Sequence, residues 1–91
     1  MLEKDLQKKI IDLLHKKGAW TVKVISANKS GVPDILAVVN GRFVAIEVKN
    51  PNGKGVTSEL QKRNIKQIQH SGGLSAVVVS IQEVEELLKE V

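Results

Sequence analysis

From the amino terminus, Leu2, Leu6, Ile10, Leu13 and Leu14 recur at the spacing of one helical face, with lysines filling positions between them. Gly18 follows Lys16 and Lys17, where a C-terminal cap belongs, so the pattern predicts an amphipathic helix over residues 3–17. Trp20 to Ile25 concentrates β-branched and aromatic residues and reads as a strand, and the small, polar stretch Ser26 to Gly31 reads as a loop. Two further apolar, β-branched runs, Asp34 to Val39 and Arg42 to Lys49, are joined by Asn40-Gly41, the pair that best tolerates the positive φ angles of a type I′ turn. Leu36, Val38, Phe43 and Ala45 fall on one face of this hairpin, and Ile35, Ala37, Val44, Ile46 and Val48 on the other. Both faces are apolar, which predicts a central pair of strands covered on both sides.

After the turn formers Asn50 to Gly55, a second helix is expected from about Thr57 to His70, with Thr57 or Ser58 as its N-cap and Gly72-Gly73 at its end. Leu60, Ile65 and Ile68 give it a narrow apolar stripe, and Lys62, Arg63 and Lys66 make its other surface basic. Leu74 to Val79 reads as a fourth strand. Ser80 with Glu83 matches a capping box and opens a last helix whose inner face carries Val84, Leu87 and Leu88. The order α-β-β-β-α-β-α, with no repeat or linker, is that of one α/β domain over residues 1–91, a mixed sheet with flanking helices.

Composition narrows the chemistry. With 91 residues, 42% hydrophobic and 26% charged, the chain falls in the range of folded globular domains. It holds no cysteine, and His15 and His70 are far apart, so a disulfide framework and a thiolate zinc site are excluded and any metal must be held mainly by oxygen. The charged start and the short length of the longest mostly apolar run, Leu74 to Ile81, predict a soluble, cytoplasmic protein with no membrane partner. Lys and Arg exceed Asp and Glu by 14 to 10, a net charge of +4 that suits a polyanionic partner without requiring one.

The hairpin carries the candidate chemistry. A two-residue loop at Asn40-Gly41 makes facing residues sum to 81, as Val39 and Arg42 do, and Asp34 and Glu47 obey the same sum. The two carboxylates are thus expected on one face with Cβ atoms about 4.5–5.5 Å apart, and Lys49, two residues past Glu47, points to that face too. Like charges in this position require compensation. On the hairpin alone, a strand-end ion pair with Lys49 is the more ordinary account. Two carboxylates on a rigid hairpin also suit a hard divalent cation, Mg²⁺ or Mn²⁺, whose chemistry is to polarise a phosphoryl oxygen, make an attacking water more acidic and offset developing charge. Lys49 would then position and deprotonate that water or neutralise the phosphate.

The wider pattern Gly31-Val32-Pro33-Asp34-Ile35 followed by Glu47-Val48-Lys49 resembles the PD-(D/E)xK nuclease signature. Within that superfamily the chain most resembles the stand-alone, phage-type VRR-NUC family, and more distantly the archaeal Holliday-junction resolvases. Glu3 to Gln7, Asn28 to Asp34, Leu60-Gln61 and Gly72-Gly73 extend the resemblance along essentially the whole chain. The resemblance implies a restriction-endonuclease-like fold in which Asp34, Glu47 and the backbone carbonyl of Val48 hold the metal and Lys49 is catalytic. It also implies that Gln61 approaches from the second helix and Glu3 from the first, although Gln7 lies on nearly the same helical face as Glu3. Lys29, Lys54, Lys62, Arg63 and Lys66 form a candidate DNA track, because lysine and arginine contacts to phosphate supply most non-specific affinity. The implied activity is a metal-dependent endodeoxyribonuclease acting as a homodimer on branched DNA, a four-way junction or a flap. The alternative is an inactive, nuclease-fold DNA-binding or scaffold protein. Trp20 is expected in the core or at a dimer contact.

Overall fold

The computed structural model describes residues 2–52 and 56–91. The leucine and isoleucine stripe near the amino terminus forms α1 (Glu3–Lys16), which buries Leu6, Ile10 and Leu14 and ends at Gly18, whose φ of +76° closes the helix. β1 (Trp20–Lys23), β2 (Ile35–Val39), β3 (Arg42–Val48) and β4 (Leu74–Val78) follow, with α2 (Glu59–His70) between the last two strands and α3 (Ile81–Leu88) at the end. The element order is the expected one. β1 is shorter than its apolar run because residues after Lys23 leave the sheet, and Ile25 is exposed.

The four strands lie in the order β1-β2-β3-β4. The first three are antiparallel, and β3 pairs with β4 in parallel after the crossover through α2. Asn40 and Gly41 have φ of +50° and +81°, as a type I′ turn needs, and the β2–β3 register runs from Val39 opposite Arg42 to Ile35 opposite Ile46.

Ile35, Ala37, Val39, Val44, Ile46 and Val48 turn to one side of the sheet and pack with Leu6, Ile10 and Leu14 of α1 and Val84 and Leu88 of α3. This is the main core. α2 lies over the other side, above β4 and β3. The hairpin is therefore not covered on both sides as its pattern suggests. Ala45 and Glu47 are buried beneath α2, whereas Val38 is 40% and Phe43 39% exposed, and Trp20, which faces Val38 in the register, is 62% exposed. A single helix cannot span four strands, so the β1–β2 part of that face stays open. Leu60, expected in the inner stripe of α2, is also exposed, and Asn64 and Ile65 are the buried residues of that helix. Among the described residues, no helix is long and apolar enough to cross a membrane.

Candidate active site

Glu47 is placed by the rigid middle of the sheet, one residue from the end of β3, on the side covered by α2. Its side chain is almost fully buried. Oε2 accepts a hydrogen bond from Gln61 Nε2 at 2.8 Å and pairs with Lys49 Nζ at 3.2 Å. Oε1 is buried with no hydrogen-bond partner among the described residues. Burial pushes the Glu47 carboxyl above its ordinary value, the neighbouring Asp34 charge pushes it further, and Lys49 opposes both.

Asp34 lies just before β2 and is not part of the strand. Its backbone carbonyl accepts from Val24 N at 2.8 Å, which ties it to the end of β1, while its Oδ2 accepts from Val48 N at 2.8 Å. The carboxylate has taken the main-chain donor beside Glu47, which brings the two acids together as the register predicts, although the ladder itself stops at Ile35. The Val48 N–H points towards Asp34, and in an extended strand the carbonyl of the same residue projects to the same side. The Lys49 N–H points the other way, to Val78 O of β4.

Lys49 has left the strand but keeps the face of Glu47, and its side chain is 15% exposed. Nζ donates to Gln61 Oε1 at 3.2 Å as well as pairing with Glu47. Gln61 reaches both residues because it stands at the third position of α2, where Ser58 caps the helix. Gln61 N donates to Ser58 Oγ at 3.1 Å, and Ser58 N donates back to Gln61 Oε1 at 2.9 Å. One amide side chain thus closes the helix cap and orients the acid and the lysine.

The remaining candidates are less closely joined. Glu3 is half-buried in the first turn of α1 and Gln7 is buried one turn later, and among the described residues no hydrogen bond or ion pair links either to Asp34, Glu47 or Lys49. No group of three or more His, Cys, Asp or Glu gathers there among the described residues, so a cation would find two carboxylates. Lys29, Lys62, Arg63 and Lys66 are all exposed, and the last three line one flank of α2. Lys54 falls outside the described residues. Asn64, which the sequence pattern does not single out, donates from Nδ2 to Ser30 O and Leu60 O, both at 2.9 Å. The available signal was a polar residue three positions after Gln61, on the same helical face.

The site fits a hard divalent cation. A buried carboxylate oxygen without a donor is costly, and here it belongs to an acid already held by Gln61 and facing a second acid, so a cation would supply the missing counter-charge. The VRR-NUC domain family matches residues 1–82. A solved VRR-NUC domain is 25% identical with a TM-score of 0.79, over 96% of this chain and 94% of that one. The Holliday junction resolvase Hjc of Archaeoglobus fulgidus, an archaeal hyperthermophile, is 22% identical with a TM-score of 0.62, over 85% of this chain and 67% of its own, a likeness of fold. No curated protein matches the chain.

Proposed function

The chain belongs to the VRR-NUC family, and from that premise we propose that it is a metal-dependent endonuclease that hydrolyses phosphodiesters in branched DNA. The observation that carries the reading is the Glu47 side chain: one oxygen fixed by Gln61 and Lys49, the other buried with no hydrogen-bond partner among the described residues. Asp34, Glu47 and the Val48 carbonyl would hold Mg²⁺ or Mn²⁺, which when bound supplies electrophilic stabilisation of the charge that develops on the scissile phosphate.

The protein's own groups do the rest. Gln61 fixes the Glu47 rotamer through Nε2 and steadies Lys49 through Oε1. The lysine ammonium has three donors, two of which are engaged by Gln61 and Glu47. The third is available to a phosphate oxygen or to the attacking water, so Lys49 positions the nucleophile or offsets the transition-state charge. Burial beneath α2 keeps these contacts in a low-dielectric setting, where they are stronger than in water. Lys29, Lys54, Lys62, Arg63 and Lys66 are the proposed phosphate track, and Glu3 is proposed as an outer acid entering from α1.

Branched substrates and a homodimer belong to the same proposal. The solved neighbour named a Holliday junction resolvase supports the substrate class. Trp20, Val38 and Phe43 support the dimer: they lie in register across three strands, on the face that α2 leaves open. A symmetric dimer carries two sites and suits paired cuts on a four-way junction or a single cut at a flap. The test is cleavage of labelled four-way junction, flap, single strand and plain duplex, with Mg²⁺, with Mn²⁺ and with chelator. Wild type is expected to cut the branched substrates only with metal, and Glu47→Ala to cut none. Identical products from the two proteins would refute the reading.

A further inference from the structure

Asp34 and Glu47 reach the site by unequal routes. Glu47 sits within a paired strand, but Asp34 ends the irregular stretch between Lys23 and Ile35, in which residues 25–30 are all exposed. Pro33, beside Asp34, is fully buried and gives the end of the stretch one apolar anchor, but the exposed remainder must be fixed by polar ones. Val24 and Val48 provide two of these, at Asp34 itself.

We propose that Asn64 is a positioning residue that fastens the Ser30–Gly31 turn to α2 and thereby sets the separation of the Asp34 and Glu47 carboxylates. Its side chain is buried, and its amide nitrogen uses both hydrogens, one on Leu60 O of its own helix and one on Ser30 O of the loop. The first bond locks the rotamer and the second clamps the loop. The fit is close: Gly31 has φ of +81°, and a Cβ built there would lie 2.8 Å from Asn64 Nδ2 and 2.8 Å from the Leu60 carbonyl carbon. Loop backbone therefore lies directly on helix backbone, which only glycine allows.

Gln61 and Asn64 are three residues apart on α2 and share a face. Gln61 holds the Glu47 segment and Asn64 holds the segment that delivers Asp34, so one helical turn gauges the distance between the two acids. Metal affinity is sensitive to the groups that orient ligands, and loss of such a partner typically costs about 10–100-fold.

The inference rests on the metal-nuclease reading, and its test separates the two. Mn²⁺ is titrated calorimetrically into metal-free wild type, Asn64→Ala and Asn64→Ser, each checked by circular dichroism and melting. Serine keeps a hydroxyl able to bond Leu60 O but cannot reach Ser30 O, which guards against a variant that fails to fold. Val84→Ala, in the core on the far side of the sheet, is the control for general destabilisation. The expected result is a Kd for Mn²⁺ raised about 10–100-fold in both Asn64 variants and unchanged in Val84→Ala. Cleavage by the Asn64 variants should recover at saturating Mn²⁺, whereas cleavage by Asp34→Ala should not. A folded Asn64→Ser with wild-type Mn²⁺ affinity overturns the positioning role and leaves the nuclease reading intact. Absence of Mn²⁺ binding to wild type overturns both.

Discussion

Replacing Glu47 with Gln should make the metal-free protein more stable and at the same time abolish its response to metal. In wild type Glu47 is an almost fully buried carboxylate with one oxygen unpartnered among the described residues and a second acid beside it. The substituted amide would keep an oxygen to accept from Gln61 and would offer its NH₂ to the Asp34 carboxylate, exchanging repulsion for a hydrogen bond. An unsatisfied buried group costs about 1–3 kcal/mol, so Glu47→Gln should gain on that order, and each kcal/mol corresponds to roughly 4–8 °C in Tm for a domain of this size. The pH dependence follows from the raised Glu47 pKa. The folded state holds the proton more tightly than the unfolded chain, so wild type is favoured at acid pH and loses that stability as pH rises through the folded value. The advantage of Glu47→Gln should therefore be largest at neutral pH and fade towards the ordinary glutamate value of 4.5. Added Mn²⁺ should invert the order, since a ligand at 1,000 times its Kd stabilises by about 4.1 kcal/mol and the variant lacks one of the two carboxylates proposed to bind it. The assay is differential scanning calorimetry at several pH values, with chelator and with Mn²⁺. A variant that melts below wild type in chelator at neutral pH, or that gains as much from Mn²⁺, would refute the reasoning.

Gln61→Glu should keep the helix cap, because a carboxylate still accepts from Ser58 N, but it replaces the donor to Glu47 with a third acid. Melting should change little in Mn²⁺ while cleavage falls at least ~10-fold, and Gln61→Ala should in addition lose about 0.5–2 kcal/mol of stability through the cap. The triple variant Lys62→Ala, Arg63→Ala, Lys66→Ala should weaken binding to all DNA shapes alike, and the slope of log K against log salt, measured by fluorescence anisotropy, should flatten by about 0.9 for each phosphate the variant no longer neutralises. Trp20→Glu combined with Val38→Glu should shift light-scattering mass from dimer to monomer and leave Mn²⁺ affinity unchanged; an unaltered mass would remove that face from the proposed interface.

The parts of the fold that were legible in the sequence are those fixed by local chemistry. Asn40-Gly41 determined a turn, the turn determined the register, and the register placed the two acids side by side, in keeping with the Asp34 bond to Val48 N. What the alternating pattern could not convey is how many helices lie over each face. Val38 and Phe43 have the same alternation whether covered or open, and only the placement of α2 over β3 and β4 decides that they are open. The ladder also ends one residue earlier than the apolar run suggested, because Asp34 takes the Val48 N–H with its side chain. Ser58 and Gln61 form a capping box that the sequence displays, and the family resemblance brought Gln61 to the site, but its bonds to Glu47 and Lys49 join distant segments and do not follow from local pattern. Asn64, whose bond to Ser30 also joins distant segments, had no such resemblance to point to it.

The contacts of Gln61 and Asn64 arise within one helical turn, and this bears on how the site tolerates its own electrostatic strain. Two acids close together, one of them buried, work against folding in the absence of a counter-charge. The hairpin could relieve that strain by letting the Asp34 loop swing away into solvent. Attachment of the loop to Asn64, and of Glu47 to Gln61, closes that route through a helix anchored by its own cap. The first turns of α2 therefore convert a repulsive pair that would otherwise relax into one that stays preorganised. On the metal-nuclease reading, the stability sacrificed in the metal-free state would be the source of affinity for the cation, so variants that loosen α2 should lose more stability relative to wild type in Mn²⁺ than in chelator, as read by scanning calorimetry.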